Sequence, residues 1–140
     1  MRGNNFNMKP LKDVYPTIDD EAPSFYDYSP LLTSFGYEIL LKVDDNDCQG
    51  DSRLLFKNGD RFGLLIFGWG SCPGCDALRA CDTFQEVEKL RTDLHNEIKW
   101  FGSKAEALEY FTKHDWEGDY SWHHGEMREF ITKATSLLAS

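Results

Sequence analysis

The sequence predicts an α+β fold, a three-stranded antiparallel meander with a further short strand packed against three C-terminal helices, and three observations carry that prediction. Tyr37, Ile39, Leu41 and Val43 alternate with Glu38 and Lys42, the period of a strand with one buried face. Two apolar runs, Arg53 to Lys57 and Arg61 to Trp69, flank Asn58-Gly59, a strong hairpin signal because a type I′ turn takes positive φ at both central positions. Beyond residue 83 the apolar spacing lengthens to that of helices.

The elements follow in order. Residues 1–29 mix Asn, Pro, Asp and the aromatics Tyr15, Phe25, Tyr26 and Tyr28 without a period. They read as an irregular arm, either draped over the core by those rings or held out for a partner. The single α+β domain spans 30–140. Ser29-Pro30 resembles an N-cap followed by proline at the first helical position, opening a short turn through Leu31 and Leu32 that Gly36 ends. Asp44 to Asp47 end the first strand. Counted outward from Asn58-Gly59, position 48 lies opposite position 69, so Cys48 and Cys72 leave the same open end of the hairpin, about three residues or roughly 10 Å apart along the strand.

Asp82 or Thr83 caps a longer helix, with Gln85 or Glu86 completing a capping box and Phe84, Val87, Leu90, Leu94 and Ile98 on one stripe. Residues 98–101 make the extra strand. Ser103 with Glu106 opens the next helix, which buries Ala105, Leu108 and Phe111. A loop from His114 to Trp122 leads to the last helix, where Met127, Phe130, Ile131, Ala134, Leu137 and Leu138 form a core stripe.

The chain has 140 residues, the usual size of one domain, and its 41% apolar residues suffice for a real core. A formal net charge of -9 argues against sequence-independent nucleic-acid binding, which rests on Lys and Arg neutralising phosphates, and favours basic partner surfaces. Residues 1–9 are polar with no apolar stretch, and no long apolar span follows, so neither a signal peptide nor a membrane helix is expected. A cytoplasmic chain keeps its thiols reduced, which turns four cysteines away from a disulfide framework and towards metal or catalysis.

Those cysteines are Cys48, Cys72, Cys75 and Cys81. The first reading is a structural Zn2+ site with all four as ligands: thiolates suit zinc, a Cys-x-x-Cys turn lets two sulfurs reach one ion, and four protein ligands close the shell. His114, His123 or His124 stands as a replacement for Cys48 as fourth ligand. The second reading resembles thioredoxin, with a buried strand from Gly63 to Trp69 leading into Cys72-Pro73-Gly74-Cys75 and a helix start lowering the first thiol's pKa. That likeness covers about fifteen residues and lacks a later proline to face the dithiol. A third reading leaves four unconnected thiols packed as small hydrophobes. Asp45 to Gly50 also resembles the first half of an EF-hand loop, but Phe56 stands where a bidentate Glu is required.

Residues Gly68 to Leu78, Gly-Trp-Gly-Ser-Cys-Pro-Gly-Cys-Asp-Ala-Leu, together with Asp115-Trp-Glu-Gly-Asp-Tyr-Ser-Trp-His123, resemble a group of short phage and prophage proteins. In size, acidity and cysteine content the chain is also similar to zinc-binding anti-CRISPR proteins that inhibit Cas9. That resemblance implies a monomeric, non-catalytic inhibitor in the host cytoplasm that binds the nuclease and hinders loading of target DNA, with the metal maintaining the fold. An acidic domain competes for the positively charged nucleic-acid channels of such an effector. The runner-up is a thiol oxidoreductase with Cys72 as nucleophile and Cys75 as resolving thiol.

Overall fold

A computed structural model describes residues 10–11, 28–47, 49–70, 76–116 and 124–140. The α+β class holds: the strands β1 (Glu38–Asp44), β2 (Gly50–Asn58), β3 (Arg61–Trp69) and β4 (Lys99–Phe101) form one sheet in the order β1-β2-β3-β4. The helices with described bounds are α1 (Ser29–Thr33), α2 (Phe84–Asn96), α3 (Lys104–Lys113) and α4 (His124–Ala139). The chain divides into two compact units, residues 1–37 with 69–97 and residues 38–68 with 98–140.

The second unit is the sheet with α3 and α4. Antiparallel pairing sets Val43 opposite Arg53 and Leu41 opposite Leu55, and β4 pairs with β3 through Phe62↔Phe101. One sheet face therefore carries Val43, Leu55, Phe62, Leu64 and Phe101 into a core with Ala107 and Phe111 of α3 and Met127, Phe130, Ala134 and Leu138 of α4. The expected α4 stripe holds except at Leu137, which is 40% exposed. In α3 the buried positions are Ala107 and Phe111, while Ala105 faces solvent. Ser103 accepts from the Glu106 backbone N–H at 3.1 Å, the expected cap. Leu54, Phe56, Leu65 and Phe67, on the other sheet face, are buried too.

The hairpin turn differs from expectation by one residue. β2 ends at Asn58 and β3 starts at Arg61, so Gly59 and Asp60 make the turn, with Gly59 at φ 64°. Counted from there, residue 50 rather than 48 falls opposite 69, and a Cβ on Gly68 would meet Asp51 at 3.3 Å and the Gly50 carbonyl at 3.6 Å. A two-residue slip leaves every side chain on its own face, so apolar alternation cannot detect it. A register shift between Ile39 and Leu41 likewise interrupts the alternation read for β1.

A buried ion pair lies in this unit. Arg53 is fully buried and its Nη1 donates to Asp45 Oδ1 at 2.6 Å, while Asp45 Oδ2 accepts from the Asp51 backbone N–H at 2.8 Å. Asp45 is the first position of the half EF-hand pattern, and both its oxygens are engaged by the protein's own donors. Gly50 is required here, since a Cβ would lie 2.6 Å from the Asp45 carboxylate.

The first unit contains α1, the turn 76–81 and α2. Proline stands in the first turn of α1 as expected, but Tyr28, without a side-chain cap, occupies the N-cap position. Gly36 follows at φ 86°, a backbone conformation that favours glycine. Thr83 and Glu86 form the capping box of α2. Its buried face is Val87, Arg91, Leu94 and His95, turned from the expected stripe that ran through Leu90. The reason is polar pairing. Arg91 Nη1 donates to Ser34 Oγ at 3.1 Å and Nη2 to Glu88 at 2.8 Å, and His95 Nε2 shares a hydrogen bond of 2.8 Å with the Tyr37 hydroxyl. Phe35 meets the His95 ring edge-on at 5.1 Å.

Two predictions follow from these buried groups. Arg53→Met leaves the Asp45 carboxylate buried without its cation and lowers stability by about 3–5 kcal/mol. In urea melts the double variant Asp45→Ala/Arg53→Met loses less than the sum of the single losses. Burial, reinforced by the positive charge of Arg91, lowers the pKa of His95 from its ordinary 6.5. The unfolded chain then binds the proton more readily. The stability that neutral His95 supplies is complete above pH 6.5 and is lost as pH falls from there through the lowered folded value. His95→Gln flattens this part of the pH dependence of the urea midpoint.

Candidate metal site

The segment that carries Cys72 and Cys75 is tied at both ends by one buried carboxylate. Asp76 Oδ1 accepts from the Gly70 backbone N–H at 2.8 Å and from the Tyr28 hydroxyl at 3.1 Å, and Oδ2 accepts from the Arg79 backbone N–H at 2.9 Å. The bond to Arg79 is an Asx-type turn, in which the side chain satisfies an N–H three residues on. The bond to Gly70 brings together two points six residues apart in sequence. Cys72 lies two residues inside that closure and Cys75 one residue inside it.

Tyr28 completes the arrangement. Its oxygen accepts from the Leu78 backbone N–H at 3.2 Å while its hydroxyl donates to Asp76, and Leu78 is fully buried beneath. Burial raises the pKa of this phenol, with the Asp76 charge adding to the effect against the lowering influence of the Leu78 N–H. It therefore stays protonated and donating at neutral pH.

Cys81 belongs to the same turn. Ala80 N–H bonds to the Asp76 carbonyl and Cys81 N–H to the Leu78 carbonyl, both at 3.1 Å, and the Cys81 thiol reaches the Ala77 carbonyl at 3.4 Å. Partial burial pushes the thiol pKa up, and the negative charges of Glu86, Asp82 and Asp76 push it further. A thiol among carboxylates is a poor free nucleophile, and a cation bound there would reverse that penalty.

Among the predicted ligands, Cys81 is described and half-buried, whereas Cys48, Cys72 and Cys75 lie outside the described residues. No cluster of metal-ligating side chains occurs among the described residues. Two of the candidate replacement histidines are described. His114 stacks on Tyr110 at 4.8 Å with 19° between the rings and meets Trp116 edge-on, His124 begins α4, and His123 lies outside the described residues. Trp116 packs inside the protein, its Nε1 donating to the Phe111 carbonyl at 3.0 Å; Tyr120 and Trp122 lie outside the described residues.

Sequence reasoning passed over Asp76 and Tyr28. An Asp directly after a Cys-x-x-Cys pair, three residues before a turn amide, is a legible Asx signal. Tyr28, 48 residues upstream, has no local signature. Compared with protein families, characterised proteins and solved structures, the chain matches none.

Tyr28→Phe removes a hydroxyl that both donates to Asp76 and accepts from Leu78. The expected cost is about 1–3 kcal/mol, because buried partners are left unpaired. Native-state hydrogen exchange should show it as faster exchange at the Leu78 and Gly70 amides.

Proposed function

We propose that the protein is a non-catalytic binding protein, a phage inhibitor of a Cas9-type nuclease, whose four cysteines hold one structural zinc. The Asp76 closure is the observation that carries the metal reading. It joins Gly70 to Asp76, which flank Cys72 and Cys75 in sequence, and anchors the turn that bears Cys81. The carboxylates around Cys81 favour a cation beside it. Zinc there supplies no reaction step: thiolate ligands neutralise it, and a closed shell holds no water to activate. In this reading Cys48 is the fourth ligand.

The binding role draws its support from charge. Net -9 on 140 residues suits a partner with exposed Lys and Arg, and a nuclease channel built for phosphates is such a surface. No helix among the described residues is long and apolar enough to cross a membrane.

Protein purified without added zinc is expected to carry about one zinc per chain, and Cys75→Ser to lose it together with stability. A thiol oxidoreductase would instead be metal-free, tolerate Cys75→Ser in its fold and reduce insulin disulfides. Added to a purified Cas9-type effector, the protein should block R-loop formation when present before target DNA and much less when added afterwards. An unchanged cleavage rate across several such effectors, with zinc present, would remove the inhibitor role and leave the metal site standing.

A further inference from the structure

In the first unit one residue ties the turn beside the cysteines to the first helix. Tyr28 is the N-cap residue of α1, and its carbonyl accepts from the Leu32 backbone N–H at 2.9 Å, so its backbone belongs to that helix. Leu31 and Leu32 of the same helix are fully buried. The side chain of Tyr28 belongs elsewhere. Its hydroxyl donates to Asp76 Oδ1 at 3.1 Å and accepts from the Leu78 backbone N–H at 3.2 Å. The same Oδ1 accepts from the Gly70 backbone N–H at 2.8 Å, so a single oxygen joins Tyr28, Gly70 and Asp76. The Leu78 residue carries the link onward, because its N–H is held by Tyr28 and its carbonyl accepts from the Cys81 N–H at 3.1 Å.

Gly70 and Asp76 flank Cys72 and Cys75 in sequence, and Leu78 stands three residues before Cys81. Without the hydroxyl, Asp76 Oδ1 loses a charge-assisted bond and the Leu78 N–H loses its acceptor. A metal held by residues on short turns binds more tightly when those turns are already ordered, since less of the binding free energy goes into ordering them. Coupling between two such equilibria acts equally in both directions.

We infer, resting on the zinc reading above, that Tyr28 couples the metal site to α1: its docking on Asp76 and Leu78 raises zinc affinity, and bound zinc in turn steadies α1. Tyr28 is a positioning residue that acts through those two partners, and α1 is the part of the fold that responds to metal occupancy.

Zinc affinity, measured by chelator competition on the purified zinc-loaded protein, tests the coupling. Tyr28→Phe is expected to weaken zinc about 10-fold, at the low end of the roughly 10- to 100-fold typical when a residue supporting metal ligands is lost. Tyr37→Phe is the control. It removes the same group from the same unit, the hydroxyl bonded to His95, and should leave zinc affinity unchanged. Asp76→Asn should also weaken zinc, and Tyr28→Phe added to it should cost less than it does alone, because both act through one network. In hydrogen exchange, chelating the zinc should speed exchange at the Leu32 amide more in the parent than in Tyr28→Phe, where the link is already cut. The coupling is overturned, with the metal reading standing, if Tyr28→Phe binds zinc as tightly as the parent or if Tyr37→Phe weakens it equally. A parent protein that binds no zinc removes the metal reading and the coupling with it.

Discussion

Backbone N–H groups in a tight loop must find acceptors, and in both cysteine-bearing segments a buried aspartate provides them. Asp45 takes the Asp51 amide while pairing with Arg53, and Asp76 takes the Gly70 and Arg79 amides. Each carboxylate is almost fully buried and each is fully used. Such groups are costly to leave half-satisfied. The described residues that flank the candidate ligands in sequence are thus tied by the protein's own polar chemistry.

The two aspartates solve the problem differently. Asp45 is balanced by a guanidinium in an apolar core, and among the described residues Arg53 Nε and Nη2 have no hydrogen-bond partner. A pair of that kind adds little net stability over a well-packed apolar replacement but strongly penalises any arrangement that separates its members. Among the described residues, Asp76 is held by N–H and O–H donors and pairs with no cation. Its negative charge is felt at Cys81, whose thiol pKa is also raised by the charges of Glu86 and Asp82. The local field in the first unit therefore asks for a positive ion, in keeping with the thiolate-zinc reading.

Much of the architecture was legible because it rests on short-range rules. The capping box at Thr83 and Glu86, the Ser103 cap and the α4 stripe from Met127 to Leu138 depend on residues within one or two turns of each other. What escaped was long-range or parity-blind. The buried face of α2 turned towards Arg91 and His95 because Ser34 and Tyr37, more than fifty residues away, supply their partners. The hairpin register moved by two residues because alternation reads only odd from even. Tyr28 fell in a segment read as an arm, yet its hydroxyl joins the turn next to the cysteines.

The central claim is that the cysteines converge on one zinc ion. Zinc K-edge X-ray absorption on the purified protein measures that shell directly. The account predicts about four sulfur scatterers near 2.3 Å. A protein that holds no zinc, or a zinc surrounded mainly by nitrogen and oxygen, would contradict it.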